Sequence, residues 1–355
     1  MWIRIVAVIP VSIRSEVSQN TTDQFEGLIV AREFRTSGKT RFRKGHRLTA
    51  EDLQEIATFP DDVHTVRLEP TDVHEDDAAR LIAAMIRGDN LVTRDPVQSR
   101  VNLVAARKGL LRVNPEAVFQ VNRLPDMSVF TLPDRLPVLP GKIVAGAKIT
   151  PVSIPESVLD EAAALLKTFP GPLIQVKPFI PHKVGVVVSE ALADTVRDRF
   201  ETSLRQKIGW YGSEIIRFAH VEEDTDAVAR AIRDLDGEGA TLILTAGGNM
   251  MDPFDASISA LPQVGAEVIR YGAPAHPGSM FWLAWSDVPI FNVASCSMYS
   301  RATVADLVLP WVMAGEQVTA DDLAWLGYGG LLDRDMTWRF PRYDVNEVDE
   351  PDEDA

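Results

Sequence analysis

The strongest constraint in this chain is a pair of short, almost wholly apolar runs in its second half. Val184-Gly185-Val186-Val187-Val188 and Thr241-Leu242-Ile243-Leu244-Thr245 lack the apolar–polar alternation of a strand with one wet face. Strands this apolar are buried on both faces, as in parallel sheets. Between them the periodicity predicts a helix over 192–208, a strand over 214–218 and a helix over 225–235. Further strands are expected over 266–270 and 289–293, and a long helix over 299–313. Strands that alternate with helices define a doubly wound α/β domain.

The first half reads differently. Strands are expected over 28–32 and 63–68, with a turn at Arg43-Lys44-Gly45-His46 between them. Thr49 is placed to cap a helix whose first turn holds Glu51 and Asp52. Asp72 is expected to cap a second helix, running to about 87 and ended by Gly88. The stretch 100–151 is strand-like and broken by Pro133, Pro137, Pro140 and Gly141. A strand over 142–149 and a helix over 156–167 follow, and 168–172 is the best candidate hinge. These readings give an α+β region over 1–170, an α/β domain over 171–330 and a C-terminal extension over 331–355. The seven acids after Tyr343 predict a solvated, disordered tail.

Composition narrows the partners. The formal net charge of -15 disfavours nucleic acid and anionic membranes. An anionic small ligand would have to be met locally, by backbone N–H groups or a few basic side chains. The single cysteine, Cys296, allows no internal disulfide and no cysteine-built zinc site. Residues 1–10 read as a strand rather than a signal peptide, and no run is long and apolar enough to span a bilayer. A cytoplasmic protein is the expectation.

In an open parallel sheet, ligands sit beyond the carboxyl ends of the strands. Three loops are expected there. The first is Ser189-Glu190. The second runs from Ala246 through Gly247, Gly248, Asn249 and Asp252 to Asp255. The third runs from Ala294 through Ser295, Cys296 and Ser297 to Ser300. Paired glycines directly after a buried strand let backbone approach a ligand. The alternative is that they only make the turn, with Asp255 as a helix N-cap. The hydroxyl-rich third loop precedes a helix and would suit a phosphate; a capped, unliganded helix start is the plainer reading. His276, beside proline in a loop, is either an acid/base group or simply exposed. The group His74-Glu75-Asp76-Asp77 resembles a metal cluster by composition, but acids at a helix start also complement its dipole.

With these loops set out, Thr245-Ala246-Gly247-Gly248 followed by Asp252-Pro253-Phe254-Asp255 resembles the T-G-G…D-P-x-D stretch of the MoaB/Mog domain. Tyr271-Gly272-Ala273-Pro274, Pro277-Gly278-Ser279-Met280-Phe281, Met298-Tyr299-Ser300 and Asp306-Leu307-Val308-Leu309-Pro310 are similar to the MoeA-like branch. So are Phe42-Arg43-Lys44-Gly45-His46 and Asp72-Val73-His74-Glu75-Asp76 in the first half. The resemblance runs over about 25–331. It implies a C-terminal three-layer doubly wound MoaB/Mog-like domain preceded by an α+β region. It implies a ligand, molybdopterin or molybdenum cofactor, and work in cofactor biosynthesis. Molybdotransferase-like molybdate insertion with Mg2+, delivery to a molybdoenzyme and self-association all extend from it.

On that resemblance Asp252 and Asp255 are the catalytic candidates, and with Glu190 the metal ligands. Thr245, Gly247, Gly248, Asn249, Pro277, Gly278, Ser295, Ser297 and Ser300 would line the cofactor site. The chain departs from the pattern twice. Val188-Ser189-Glu190-Ala191 stands where the family reads T-G-x-E, with the helix expected to start at once. Val293-Ala294-Ser295-Cys296 stands where it reads L-P-G-x-P or L-P-G-C. A non-catalytic scaffold that keeps the fold is therefore the alternative.

Overall fold

The computed structural model describes residues 9–13, 25–247, 252, 254–293 and 303–345. The first half opens with β1 (Ile9–Ile13), β2 (Ile29–Val30), β3 (Phe34–Thr36), β4 (Lys39–Phe42), α1 (Ala50–Ile56) and β5 (Val63–Arg67). It continues with β6 (Asp72–His74), α2 (Glu75–Ile86), β7 (Leu91–Thr93), β8 (Val101–Ala105), β9 (Gly109–Val113) and α3 (Pro115–Asn122). It closes with β10 (Met127–Thr131), β11 (Pro137–Val138), β12 (Ile143–Ile149), β13 (Ser153–Pro155), α4 (Glu156–Leu166) and β14 (Ile174–Pro178).

These strands pair antiparallel in small sheets, ordered β1-β5-β2, β10-β12-β8-β7 and β11-β9-β14, with the pairs β3-β4 and β6-β13. A core of α2, α3 and α4 residues packed on β8, β9 and β12 fills the middle of this half. A smaller core gathers Phe25, Leu28, Phe34, Phe42, Leu53 and Ile56 around α1.

Two elements differ from the sequence reading. Asp72 does not cap α2. It starts β6, which pairs with β13, and its carboxylate accepts from the Glu69 N–H at 3.0 Å. His74 takes the cap instead. The partner strand lies some eighty residues downstream, so local propensity could not reveal it. Second, the strand-like stretch contains α3. Asn114 caps it through the Ala117 N–H, and Pro115 sits in its first turn, where its missing N–H costs nothing.

The second half holds β15 (Lys183–Val188), α5 (Asp194–Trp210), β16 (Glu214–His220), α6 (Thr225–Gly237), β17 (Leu242–Ala246) and α7 (Ala256–Ala260). Then come β18 (Glu267–Tyr271), β19 (Trp282–Trp285), β20 (Pro289–Val293), α8 (Val304–Met313) and α9 (Ala320–Trp325). One six-stranded sheet runs β16-β15-β17-β20-β19-β18. Helices α5 and α8 pack on one face through Phe200, Leu204, Ile208, Val308 and Val312. Helix α6 and the α7 segment cover the other through Val228, Ile232, Leu235 and Ala260.

The sheet is mixed rather than wholly parallel. From β16 to β20 the neighbours are parallel, but β18-β19 and β19-β20 are antiparallel. The cause is connection length. Only residues 286–288 separate β19 from β20, too few for a parallel crossover. Helix α5 begins at Asp194, several residues after β15 ends, not at once. Helix α8 begins at Val304, because Thr303 and Asp306 close a capping box there. No helix among the described residues is long and apolar enough to cross a membrane. The acidic tail expected to be disordered runs over 344–355, of which only Asp344 and Val345 are among the described residues.

Candidate functional site at the carboxyl edge of the sheet

β15, β17 and β20 are adjacent and parallel, so their exit loops share one edge. From β15 the chain goes to β16 on one side, then crosses back to β17 on the other. The strand order therefore reverses between β15 and β17, and the crevice of such a sheet opens at that point.

The two exits are packed together there. The Ser189 N–H donates to the Ala246 carbonyl at 3.0 Å. Gly247 has a φ of 99°, and a Cβ on it would stand 2.7 Å from Glu190 Cβ and 2.8 Å from the Glu190 nitrogen. Only glycine fits this close approach. Ser189 Oγ and Thr245 Oγ1 are buried beside it and have no hydrogen-bond partner among the described residues. A buried hydroxyl without a partner costs about 1–3 kcal/mol. Glu190 itself is exposed.

Asp255 is buried, and its Oδ1 accepts from the Ser257 N–H at 2.9 Å and the Ile258 N–H at 3.2 Å. It is the N-cap of α7, as the plainer reading had it. Asp252 is exposed; its Oδ1 accepts from the Phe254 N–H at 2.9 Å and its carbonyl from the Asp255 N–H at 3.0 Å. Phe254 between them is 85% exposed. Among the described residues, no three His, Cys, Asp or Glu side chains gather as a metal-holding group, and Glu190, Asp252 and Asp255 are all described.

Pro277 and Gly278 lie against the start of α8. The Val304 N–H donates to the Pro277 carbonyl at 3.2 Å, and a Cβ on Gly278 would stand 2.8 Å from the Val304 nitrogen. His276 is exposed, with its N–H donating to the Gly330 carbonyl at 2.8 Å. Gly248, Asn249, Ser295, Ser297 and Ser300, with Cys296, lie outside the described residues.

Two positioning groups were not singled out in the sequence. Asn292, near the end of β20, accepts from the Trp282 N–H at 2.7 Å and donates to the Met280 carbonyl at 2.8 Å. It pins the segment that follows Pro277-Gly278. An amide in the apolar run Pro-Ile-Phe-Asn-Val was the signal available. Asp306 is buried in α8. It accepts from Lys207 Nζ at 2.6 Å, the Thr303 N–H at 3.0 Å and the Tyr343 hydroxyl at 2.9 Å. Burial and the Asp306 carboxylate hold the Tyr343 hydroxyl well above its ordinary pKa, so it stays a donor. This network fixes where α8 starts and hence where the third loop ends. The cavity beside it, lined by Phe200, Lys207, Phe291 and Asp306, is about 20 Å³, room for one water and not for a pterin.

No family model matches this chain, and no curated protein matches it. Among solved structures it is similar to a Corynebacterium diphtheriae protein described as belonging to molybdenum cofactor biosynthesis. The identity is 18%, over 41% of this chain and 99% of that one, with a TM-score of 0.26. It is likewise similar to a structure of MogA, at 20% identity over 37% of this chain and 90% of that one, with a TM-score of 0.25.

Proposed function

We propose that this chain binds a pterin phosphate, molybdopterin or the finished molybdenum cofactor, at the carboxyl edge of β15, β17 and β20. Its role would be in molybdenum cofactor biosynthesis, with delivery to a molybdoenzyme. In this reading residues 171–330 form a three-layer, doubly wound Mog-like domain. Residues 1–170 are an accompanying α+β region, and 331–355 a C-terminal extension. The observation that carries the reading is the pair of unpartnered buried hydroxyls, Ser189 and Thr245, beside the close approach at Gly247. They stand at the topological switch point, Thr245 within the Thr-Ala-Gly-Gly phrase that resembles the Mog pattern and Ser189 in the loop that departs from it. Gly248, Asn249, Ser295, Ser297 and Ser300, with Pro277 and Gly278, would complete the lining.

A cation fits less well. Asp255 already commits Oδ1 to capping α7, Asp252 is exposed, and no third carboxylate joins them among the described residues. Asp252, Asp255 and Glu190 are therefore not gathered as a ligand set for Mg2+. The same capping role favours a second reading, a non-catalytic scaffold that keeps the fold.

Thr245→Val separates the two. It keeps the shape of the side chain and removes the orphan hydroxyl. The free protein should become more stable, because a buried unsatisfied group is gone. Molybdopterin binding, followed by pterin fluorescence, should weaken about tenfold if the hydroxyl meets the ligand. Asp255→Asn keeps the capping oxygen and removes the charge, so a binding loss there that depends on Mg2+ would assign the ion to this loop. Wild-type protein that binds no molybdopterin, with or without Mg2+ and molybdate, would leave the scaffold reading.

A further inference from the structure

The turn Arg43-Lys44-Gly45-His46 and the segment His74-Glu75-Asp76 have no place in the reading above, yet the fold locks them together. Glu75 is 1% exposed, and its Oε2 accepts from Lys44 Nζ at 2.8 Å. Lys44 Nζ also donates to the Thr150 carbonyl at 3.2 Å. His74 Nδ1 accepts from the Asp76 N–H, so its Nε2 carries the proton it gives to the Gly45 carbonyl at 2.9 Å. Gly45 has a φ of 82°, and a Cβ on it would fall on Glu75 Oε1. Glu75 Oε1 is thereby buried with no hydrogen-bond partner among the described residues. His46 is held in turn by Asp52 at 2.8 Å and by stacking on Phe42. Such fixing is more than a surface turn needs.

What it fixes is one wall of a pocket of about 630 Å³. Arg43, Lys44 and His46 line that wall, and Lys148 of β12 joins them. The rim is closed by Gln98 and Ser99, with φ of 50° and 62°. They are the central pair of a turn closed by Val97 and Arg100, which bond each other at 3.0 and 3.1 Å. Turns with two positive φ values ordinarily take Asn-Gly; here two non-glycine residues bear the strain and present amide and hydroxyl groups. Two acids also line the pocket: Glu33, which is bonded to Arg35 and Thr40 and lies in the field of Arg43, and Asp76, whose N–H donates to His74 Nδ1. The side chains of Arg43 and Lys148 make no hydrogen bond among the described residues, and both face this pocket. In a chain of net charge -15, two cations that converge on one pocket give it a local charge that can meet an anion.

We infer that this pocket is a second ligand site, taking a small, multiply charged anion. Arg43 and Lys148 supply the charge, and Gln98 and Ser99 the neutral hydrogen bonds. Lys44, Glu75, His74 and Gly45 hold the arginine-bearing turn in place. Pocket volume suits a ligand of metabolite size. Organic phosphates and polycarboxylates share this chemistry. The inference does not depend on the pterin reading, since no residue is common to the two sites.

The test is calorimetric titration of the full chain with inorganic pyrophosphate and, separately, with citrate. One saturable site is expected for at least one of them, and the tighter probe names the class. Affinity should fall about tenfold in Arg43→Ala and further in Arg43→Ala with Lys148→Ala, with little change in thermal stability. Neither side chain has a bond to lose, so misfolding should not confuse the result. No saturable binding of either anion at millimolar concentration would overturn the inference. So would equal affinity in wild type and the double variant.

Discussion

A single hydrogen atom decides the geometry at position 247. The strand exits at Glu190 and Gly247 approach so closely that any side chain on 247 meets Glu190 backbone. The φ of 99° adds a second penalty for any L residue. Gly247→Ala should therefore lower the unfolding free energy by about 1–3 kcal/mol, read in urea denaturation. An unchanged midpoint would mean that the two exits are not packed as described. The glycine was legible in the sequence, because paired glycines after an apolar run announce backbone approach. What it approaches was not, because Ser189 and Glu190 lie nearly sixty residues away. Asp255 shows the same limit in reverse. Its place in the loop could be read, but its commitment to the Ser257 and Ile258 N–H groups required the folded backbone.

Among the elements, legibility followed locality. The buried strands β15 and β17, and helices α1, α4 and α6, carry their signals in consecutive residues and stand close to where periodicity put them. β6 is made by a partner elsewhere in the chain, and α3 is short and lies between strands. Helix α9 is another element whose stability is partly remote. Its capping box joins Thr319 to Asp322, whose Oδ2 accepts from the Thr319 N–H at 2.9 Å. The Asp322 Oδ1 accepts from Arg135, in the other half of the chain, at 2.5 Å. Burial raises the carboxyl pKa, but these bonds and the Arg135 charge outweigh it and leave the pKa below its ordinary value. A depressed folded pKa contributes stability above the unfolded value of about 3.9 and loses it as pH falls through the folded value. Asp322→Asn should cost about 1 kcal/mol at neutral pH. The gap between variant and wild type should close below about pH 4. A gap independent of pH would exclude this ionic contribution.

At the scale of the whole molecule, the question is how firmly the two halves are joined. The hinge expected at 168–172 is followed at once by β14, and β14 does not belong to the large sheet. It pairs with β9, residue for residue from Ile174 opposite Val113 to Pro178 opposite Gly109. The chain is thus laced back into the first half before β15 begins. A charged junction reinforces this. Glu316, just beyond α8, is nine-tenths buried and accepts from Arg112 of β9 and, at 3.2 Å, from Lys177 of β14. Arg112 also donates to Asp134 at 3.1 Å, and Arg135 lies 4.4 Å over the Trp311 ring of α8. Removing one member of a buried charge network leaves the others desolvated without compensation, typically about 3–5 kcal/mol. Here the cations remain partly exposed, so Glu316→Ala should cost about 2 kcal/mol. The form of the loss is more informative than its size. If Glu316 couples the halves, its removal should split one urea transition into two, with tryptophan fluorescence, weighted to the second half, separating from circular dichroism. Coincident transitions at a lowered midpoint would place the coupling in β14 instead. An unchanged midpoint would mean that the charged junction contributes nothing to stability, and that the pairing of β14 with β9 alone ties the first half to the sheet edge where the ligand is proposed to bind.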